Sequence, residues 1–177
     1  MGDTLRGGEG ALRLRAKSIA LSRQNLGLTK PYSDEWYTPP EIPAAIGGFD
    51  LDPSAGPSNH AKVNIRQPEC GLMAPWHGRV WLNPPYLDAP LWMEKMAAHN
   101  NGVALLNARA ETKWFQAAAS KAGGVLWLRG RVKFIRPDGS RCGVPVGSVL
   151  LAYGESATEA LRNCGLKGVF MTVSGQG

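Results

Sequence analysis

The sequence predicts an α/β fold built on a predominantly parallel sheet with helices on both faces. Short apolar runs of strand length alternate with segments of helical periodicity from residue 49 to residue 173, and that alternation is the signature of strand–helix–strand units. The 177 residues are 44% apolar and include six tryptophans, enough for one domain with a real core and too few for two domains and a linker. Polar residues able to do chemistry, Asp52 and Asn83, fall where two of the apolar runs stop. Ligands in open α/β sheets bind at the carboxyl ends of the strands.

In chain order, residues 1–10 are glycine-rich and polar, and residues 11–24 can form a basic helix whose apolar positions, Leu12, Ile19 and Leu21, are too sparse for a strong stripe. Six basic side chains, Arg6, Arg13, Arg15, Lys17, Arg23 and Lys30, against Asp3 and Glu9 leave residues 1–31 at a net +4. This stretch is expected to be a basic arm without fixed structure, either following a phosphate backbone or simply solvated. Residues 32–177 are expected to form the single domain. Thr38 is placed to cap a short helix with Pro39 at its first position, running to Ile46 and stopped by Gly47-Gly48.

Residues 49–55 read as a short buried strand that runs into a turn after Asp52 and Pro53, and residues 61–66 read as a second strand. Residues 67–78 form a loop containing Gly71, Leu72 and Trp76, and residues 79–82 form the next strand. A loop at 86–90, placed to act as a lid, leads into a helix over 90–99, and residues 102–107 return as a buried strand. A helix over 111–121 with Trp114, Phe115 and Ala118 on one side precedes a strand at 125–128. Strand-like residues 130–135 and 146–153 are joined by a basic loop, and a helix over 157–164 and a strand over 168–173 complete the pattern.

Asn83-Pro84-Pro85-Tyr86 follows the strand at 79–82. Asn83 offers a side-chain carbonyl acceptor and an amide donor, while each proline offers a carbonyl with no competing N–H. Prolines cannot continue a central strand, so the four residues should protrude as an acceptor-rich hook with an aromatic ring beside it. Such a hook suits an exocyclic amine on a planar ring. That nitrogen is a poor nucleophile until two acceptors hold its hydrogens and draw it toward tetrahedral geometry, while Tyr86 stacks on the ring.

Asn-Pro-Pro-Tyr at a strand end resembles the catalytic motif of amino-group methyltransferases. The ordered set of Trp36-x-Thr38-Pro39, Asp50-x-Asp52-Pro53, Gly71-Leu72 with Trp76, and Trp81-Leu82-Asn83-Pro84-Pro85-Tyr86 more narrowly resembles the phage and prophage Dam-type DNA N6-adenine methyltransferases, across residues 34–154. The resemblance implies a Rossmann-like class I methyltransferase fold, S-adenosylmethionine as cofactor, and methylation of a flipped-out adenine in double-stranded DNA. It implies catalytic Asn83, Pro84, Pro85 and Tyr86, and a cofactor pocket lined by Trp36, Thr38, Pro39, Asp50, Asp52 and Pro53, with Asp52 the leading carboxylate. It also places Tyr86 and Phe134 on the two faces of the base, with core filling as the other reading of Phe134, and Arg131, Lys133 and Arg136 against DNA. The assignment of adenine over cytosine comes with the resemblance, because the hook alone does not separate the two amines. No Gly-x-Gly follows Asp52, a departure from many methyltransferases: Ser54-Ala55-Gly56 supplies one glycine. A methyltransferase acting on RNA or a protein amide, or an inactive DNA-binding module on the same fold, are the alternatives.

Charge is consistent with a phosphate-rich partner: the net charge is +6, and Arg129, Arg131, Lys133, Arg136 and Arg141 form a second basic cluster facing only Asp138. Arg109 and Lys113 could contact phosphates or could simply be a solvated helix start. Cys70, Cys142 and Cys164 are odd in number and widely spaced, arguing against a disulfide framework, and with His60 and His77 they match no zinc spacing, so no metal is expected. There is no P-loop and no apolar run of membrane-spanning length. A cytoplasmic location is expected, in the bacterial host if the protein is phage-encoded.

Overall fold

The computed structural model describes residues 36–174, so the basic arm expected over residues 1–31 lies outside the described residues. Seven strands form one mixed sheet: β1 (Leu51–Asp52), β2 (Val63–Asn64), β3 (Val80–Leu82), β4 (Gly102–Asn107), β5 (Gly124–Leu128), β8 (Ser148–Tyr153) and β9 (Gly168–Thr172), in the order β2-β1-β3-β4-β8-β5-β9. The pairs β1–β2, β1–β3 and β3–β4 are parallel, whereas β8 runs antiparallel to both β4 and β5, and β9 antiparallel to β5. All strands except β8 and β9 therefore share one direction. After β1 the chain steps to β2 on one side, then crosses over to β3 on the other. The strand order reverses between β1 and β3, which opens a crevice beyond their carboxyl ends.

The central strands β3, β4 and β8 are buried on both faces, and alternation along them sorts side chains between two cores. Val80 and Leu82 of β3, Ala104 and Leu106 of β4, and Val149, Leu151 and Tyr153 of β8 pack on one face against α2 (Ala89–His99) and α3 (Lys113–Ala119), through Trp92, Met93, Met96, Phe115 and Ala118. Buried Tyr153 donates its hydroxyl proton to the Ala118 carbonyl at 2.8 Å, which satisfies its only polar group. Trp81, Val103, Leu105, Leu150 and Ala152 face the other way, against Ile42 and Ile46 of α1 (Glu41–Ile46) and Ala157 and Leu161 of α4 (Glu155–Arg162). Among the described residues no helix is long and apolar enough to cross a membrane.

Two expectations change. Thr38 makes no cap: α1 begins after Pro40, with the Pro39 and Pro40 carbonyls accepting from Ile42 and Ala44, because buried Thr38 turns into the interior instead. The basic loop expected over 136–145 contains a strand. β6 (Lys133–Ile135) and β7 (Arg141–Gly143) pair antiparallel as a hairpin separate from the main sheet. Its turn, Pro137-Asp138-Gly139-Ser140, is closed by the Arg136 N–H to the Ser140 carbonyl (2.9 Å) and by the Ser140 N–H to Asp138 Oδ1 (2.8 Å). Gly139 has φ +81°, a conformation glycine adopts without a Cβ penalty. The Pro-Asp-Gly signal was present in the sequence.

Candidate active site

Asp52 ends β1 and Asn83 follows β3, so the crossover places both at the same end of adjacent strands. They open onto a cavity of about 710 Å³ whose lining includes Trp36, Thr38, Asp52, Pro53, Trp81, Asn83, Pro84, Pro85 and Tyr86. Most of the residues singled out in the sequence for cofactor and catalysis thus share one wall. Pro39 and Asp50 do not. Pro39 lies two residues before α1, its carbonyl accepting the Ile42 N–H, and Asp50 sits at the opposite end of β1, where its carboxylate accepts the Arg79 N–H at 2.8 Å and pairs with Lys62 Nζ at 2.9 Å. The Arg79 N–H and Lys62 hold its carboxyl below the ordinary value. A strand rises about 3.3 Å per residue, which separates Asp50 from Asp52 along β1.

Asp52 is 2% exposed, and the Ser54 N–H donates to its Oδ1 at 3.1 Å. Burial pushes its carboxyl from 3.8 up to about 7, against smaller lowering effects from the Ser54 N–H and the positive charge of Arg66. Arg66 reaches the same rim, donating Nε to the Gly56 carbonyl at 2.8 Å. Arg66 also donates to the Ser58 carbonyl and to Asn59 Oδ1, so it holds the segment from Gly56 to Asn59 at the cavity. Glycine is required at Gly71, where a Cβ would collide with the Pro53 carbonyl. Trp81, fully buried at 0% exposure, lines the cavity with an indole N–H that has no hydrogen-bond partner among the described residues.

The hook is held from behind. Asn83 donates Nδ2 to the Trp36 carbonyl at 2.9 Å, so the acceptor, Oδ1, is left for another donor. Ser54 Oγ donates to the Asn83 main-chain carbonyl at 2.9 Å, tying the hook to the turn after Asp52. Tyr86 lines the cavity at the start of a single 3₁₀ turn, Tyr86–Asp88. Burial pushes its hydroxyl up to about 12, with the Asn107 side chain opposing part of the rise, so the ring is neutral. Leu87, on the expected lid, is 80% exposed.

A family model described as DNA N-6-adenine-methyltransferase (Dam) matches residues 26–155. The chain belongs to that family. The resemblance carried by the ordered motifs is borne out. This Dam-family chain is 33% identical over 106 residues to the DNA N-6-adenine-methyltransferase of Escherichia phage T1, an alignment covering 54% of this chain and 44% of that protein. It is 36% identical over 99 residues to the protein of the same name from Haemophilus phage HP1, covering 51% of this chain and 57% of that one. The chain spans about half the length of the curated relatives it matches. No solved structure matches it.

Two of the residues expected against the substrate make contacts within the protein, Phe134 from the core and Arg136 from an exposed position. Phe134, expected either to face a base or to fill the core, is 1% exposed and in the core; its ring packs edge-on against Trp36, with centroids 6.3 Å apart. Arg136 places its guanidinium carbon 5.2 Å from the Trp36 ring centroid and donates to Cys142 Sγ at 3.4 Å. Lys133 is exposed on the hairpin, and Arg131, also exposed, lies just before it and donates to the Val144 carbonyl at 3.2 Å. Residues on the cavity wall that the sequence did not single out for the site include His60, Arg66 and Trp81. Only Trp81 carried a signal, two positions before Asn83 and so on its face of the strand.

Proposed function

We propose that this Dam-family protein transfers a methyl group from S-adenosylmethionine to the N6 amine of an adenine flipped out of double-stranded DNA. The observation that carries the reading is the Asn83 amide. Its Nδ2 is engaged by the Trp36 carbonyl, which leaves Oδ1 as an acceptor at the mouth of a cavity shared with a buried carboxylate. The donor set fits the cofactor. Asp52 can accept from hydroxyl or ammonium hydrogens and offsets positive charge, the unpartnered Trp81 N–H can donate to an oxygen or ring nitrogen, and Trp36 gives an aromatic wall. When bound, S-adenosylmethionine supplies an electrophilic methyl on a positively charged sulfur. A Rossmann-like class I arrangement is supported by the mixed sheet, with Asp52 and Asn83 flanking the point where its strand order reverses. One sheet with cores on both faces supports a single domain for residues 32–177.

In this reading Asn83 Oδ1 and the Pro84 carbonyl each accept one hydrogen of the amine and orient its lone pair into the cavity. Pro85 carries no N–H to compete, and Tyr86 stacks on the base, worth about 1–3 kcal/mol against an extrusion cost of a few kcal/mol. As the nitrogen gains its new C–N bond it becomes acidic, and its surplus proton leaves to solvent, so no strong base is required. Arg131 and Lys133 supply positive charge for the DNA backbone, the protein acting in the cytoplasm. The test is to incubate the purified protein with labelled S-adenosylmethionine and unmethylated duplex DNA, then digest to nucleosides and identify the products by mass spectrometry. N6-methyladenine is the expected product; cofactor binding without any methylated nucleoside would overturn DNA as the substrate.

A further inference from the structure

Trp36 stands where three parts of the molecule meet. Its carbonyl holds the Asn83 amide, its ring packs against Phe134, and the Arg136 guanidinium lies over that ring. The next residue, Tyr37, exchanges two backbone hydrogen bonds with Ile135 of β6, both 2.9 Å, and its ring fills the space where Gly56 has no side chain. The β6–β7 hairpin, outside the main sheet, is thus fastened directly to the segment that sets the catalytic amide. A second tie, the 2.6 Å ion pair of Arg141 with Glu41, anchors the far strand to α1. Rotating the Trp36 peptide would release Asn83 Nδ2, and the amide would then be free to turn its acceptor away from the cavity.

We propose that Phe134 and Arg136 are positioning residues: through Trp36 they hold the Asn83 amide in its working orientation, so that the hairpin facing the DNA also sets the catalytic hook. This rests on the methyltransferase reading above. It gives Arg136 a task beyond that of a basic surface residue, because its guanidinium, although exposed, lies over the Trp36 indole and donates one of its five N–H groups to Cys142 Sγ. The hairpin then couples two events. Phosphate contact by Lys133 and Arg131 acts on a scaffold whose opposite side carries Trp36.

The two roles separate in kinetics and salt dependence. A phosphate contact contributes to DNA affinity and lowers the slope of log affinity against log salt by about one when removed; a positioning contact acts on the rate at saturation. Lys133→Gln provides the phosphate-contact comparison. For Arg136→Gln the expected result is a roughly tenfold or larger fall in the single-turnover methyl-transfer rate at saturating DNA and S-adenosylmethionine, with an unchanged salt slope. Cofactor affinity should stay within about twofold. Phe134→Leu, which keeps an apolar side chain in the core and alters no charge, should show the same fall, with thermal melting reporting that it is folded. Arg136→Gln and Phe134→Leu both at the wild-type rate would overturn the proposal, as would a salt slope in Arg136→Gln lowered by about one with the rate intact. Absence of methyl transfer by the wild-type protein would instead overturn the activity itself, so the two failures are distinguishable.

Discussion

Asp52→Asn should stabilise the protein in alkaline solution while impairing it as an enzyme. Burial raises the Asp52 carboxyl from 3.8 to about 7, and a tenfold change in proton affinity is worth about 1.4 kcal/mol, so holding the group ionised costs the folded state roughly 4 kcal/mol. The sign follows from the direction. The folded protein binds the proton more tightly than the unfolded chain, so this stability is fully present below about pH 4 and is lost as pH rises to 7. Asparagine has nearly the same shape, accepts the same Ser54 N–H bond and carries no charge at any pH. Melting temperatures of the two proteins should coincide near pH 4 and diverge steadily up to pH 8, where the variant melts higher by about 8 °C or more, at roughly 2–4 °C per kcal/mol. Titration calorimetry at pH 8 should show S-adenosylmethionine binding weakened at least tenfold, because in the proposed function the carboxylate that costs stability is the group offered to the cofactor. A melting difference independent of pH, or a variant less stable than wild type at pH 8, would refute the desolvation argument; unchanged cofactor affinity would move the donor site elsewhere.

Three further outcomes follow from the same geometry. Asn83→Ala removes the side-chain acceptor and should lower the single-turnover rate by 100-fold or more, on the order of what one preorganised hydrogen-bonding group supplies, with DNA and cofactor affinities close to wild type by direct binding. Tyr86→Ala should weaken productive DNA binding by about 1–3 kcal/mol through lost stacking, whereas Tyr86→Phe, which keeps the ring, should retain it; equal defects in the two would point to the hydroxyl. Gly71→Ala drives a Cβ into the Pro53 carbonyl, so the loop after β1 must shift. The expected result is a lower urea midpoint and weaker cofactor binding, and a neutral effect on both would show that the loop yields freely.

Much of the fold and the site was legible along the chain because the signals are local. The apolar run of β4, the helical period of α2 and the arrest of β3 at two prolines each depend on neighbours within a few positions, so their elements stand close to where the sequence placed them. The hook was legible for the same reason, since Asn83-Pro84-Pro85-Tyr86 is contiguous. The β6–β7 hairpin went unread although its Pro-Asp-Gly turn was in view, because its three-residue strands are too short for a periodic pattern.

The groups the chain offers for chemistry, the acceptors of Asn83-Pro84-Pro85-Tyr86 and a strand-end carboxylate, were determined by the sequence alone. Which candidates reach the cavity was decided only in three dimensions. Asp50 and Asp52 are two positions apart and look interchangeable in the chain, but one lies at each end of β1, and only the carboxyl end faces the crevice. Phe134 read in the chain as either a base-stacking ring or core filling and Arg136 as a basic contact, and only the Tyr37–Ile135 bridge shows that both meet Trp36, about 100 positions away in sequence. The same contact network fixes the Asn83 amide. Residue type sets which bonds a side chain can make; partners distant in the chain, brought close by burial of the two cores, set which ones it makes.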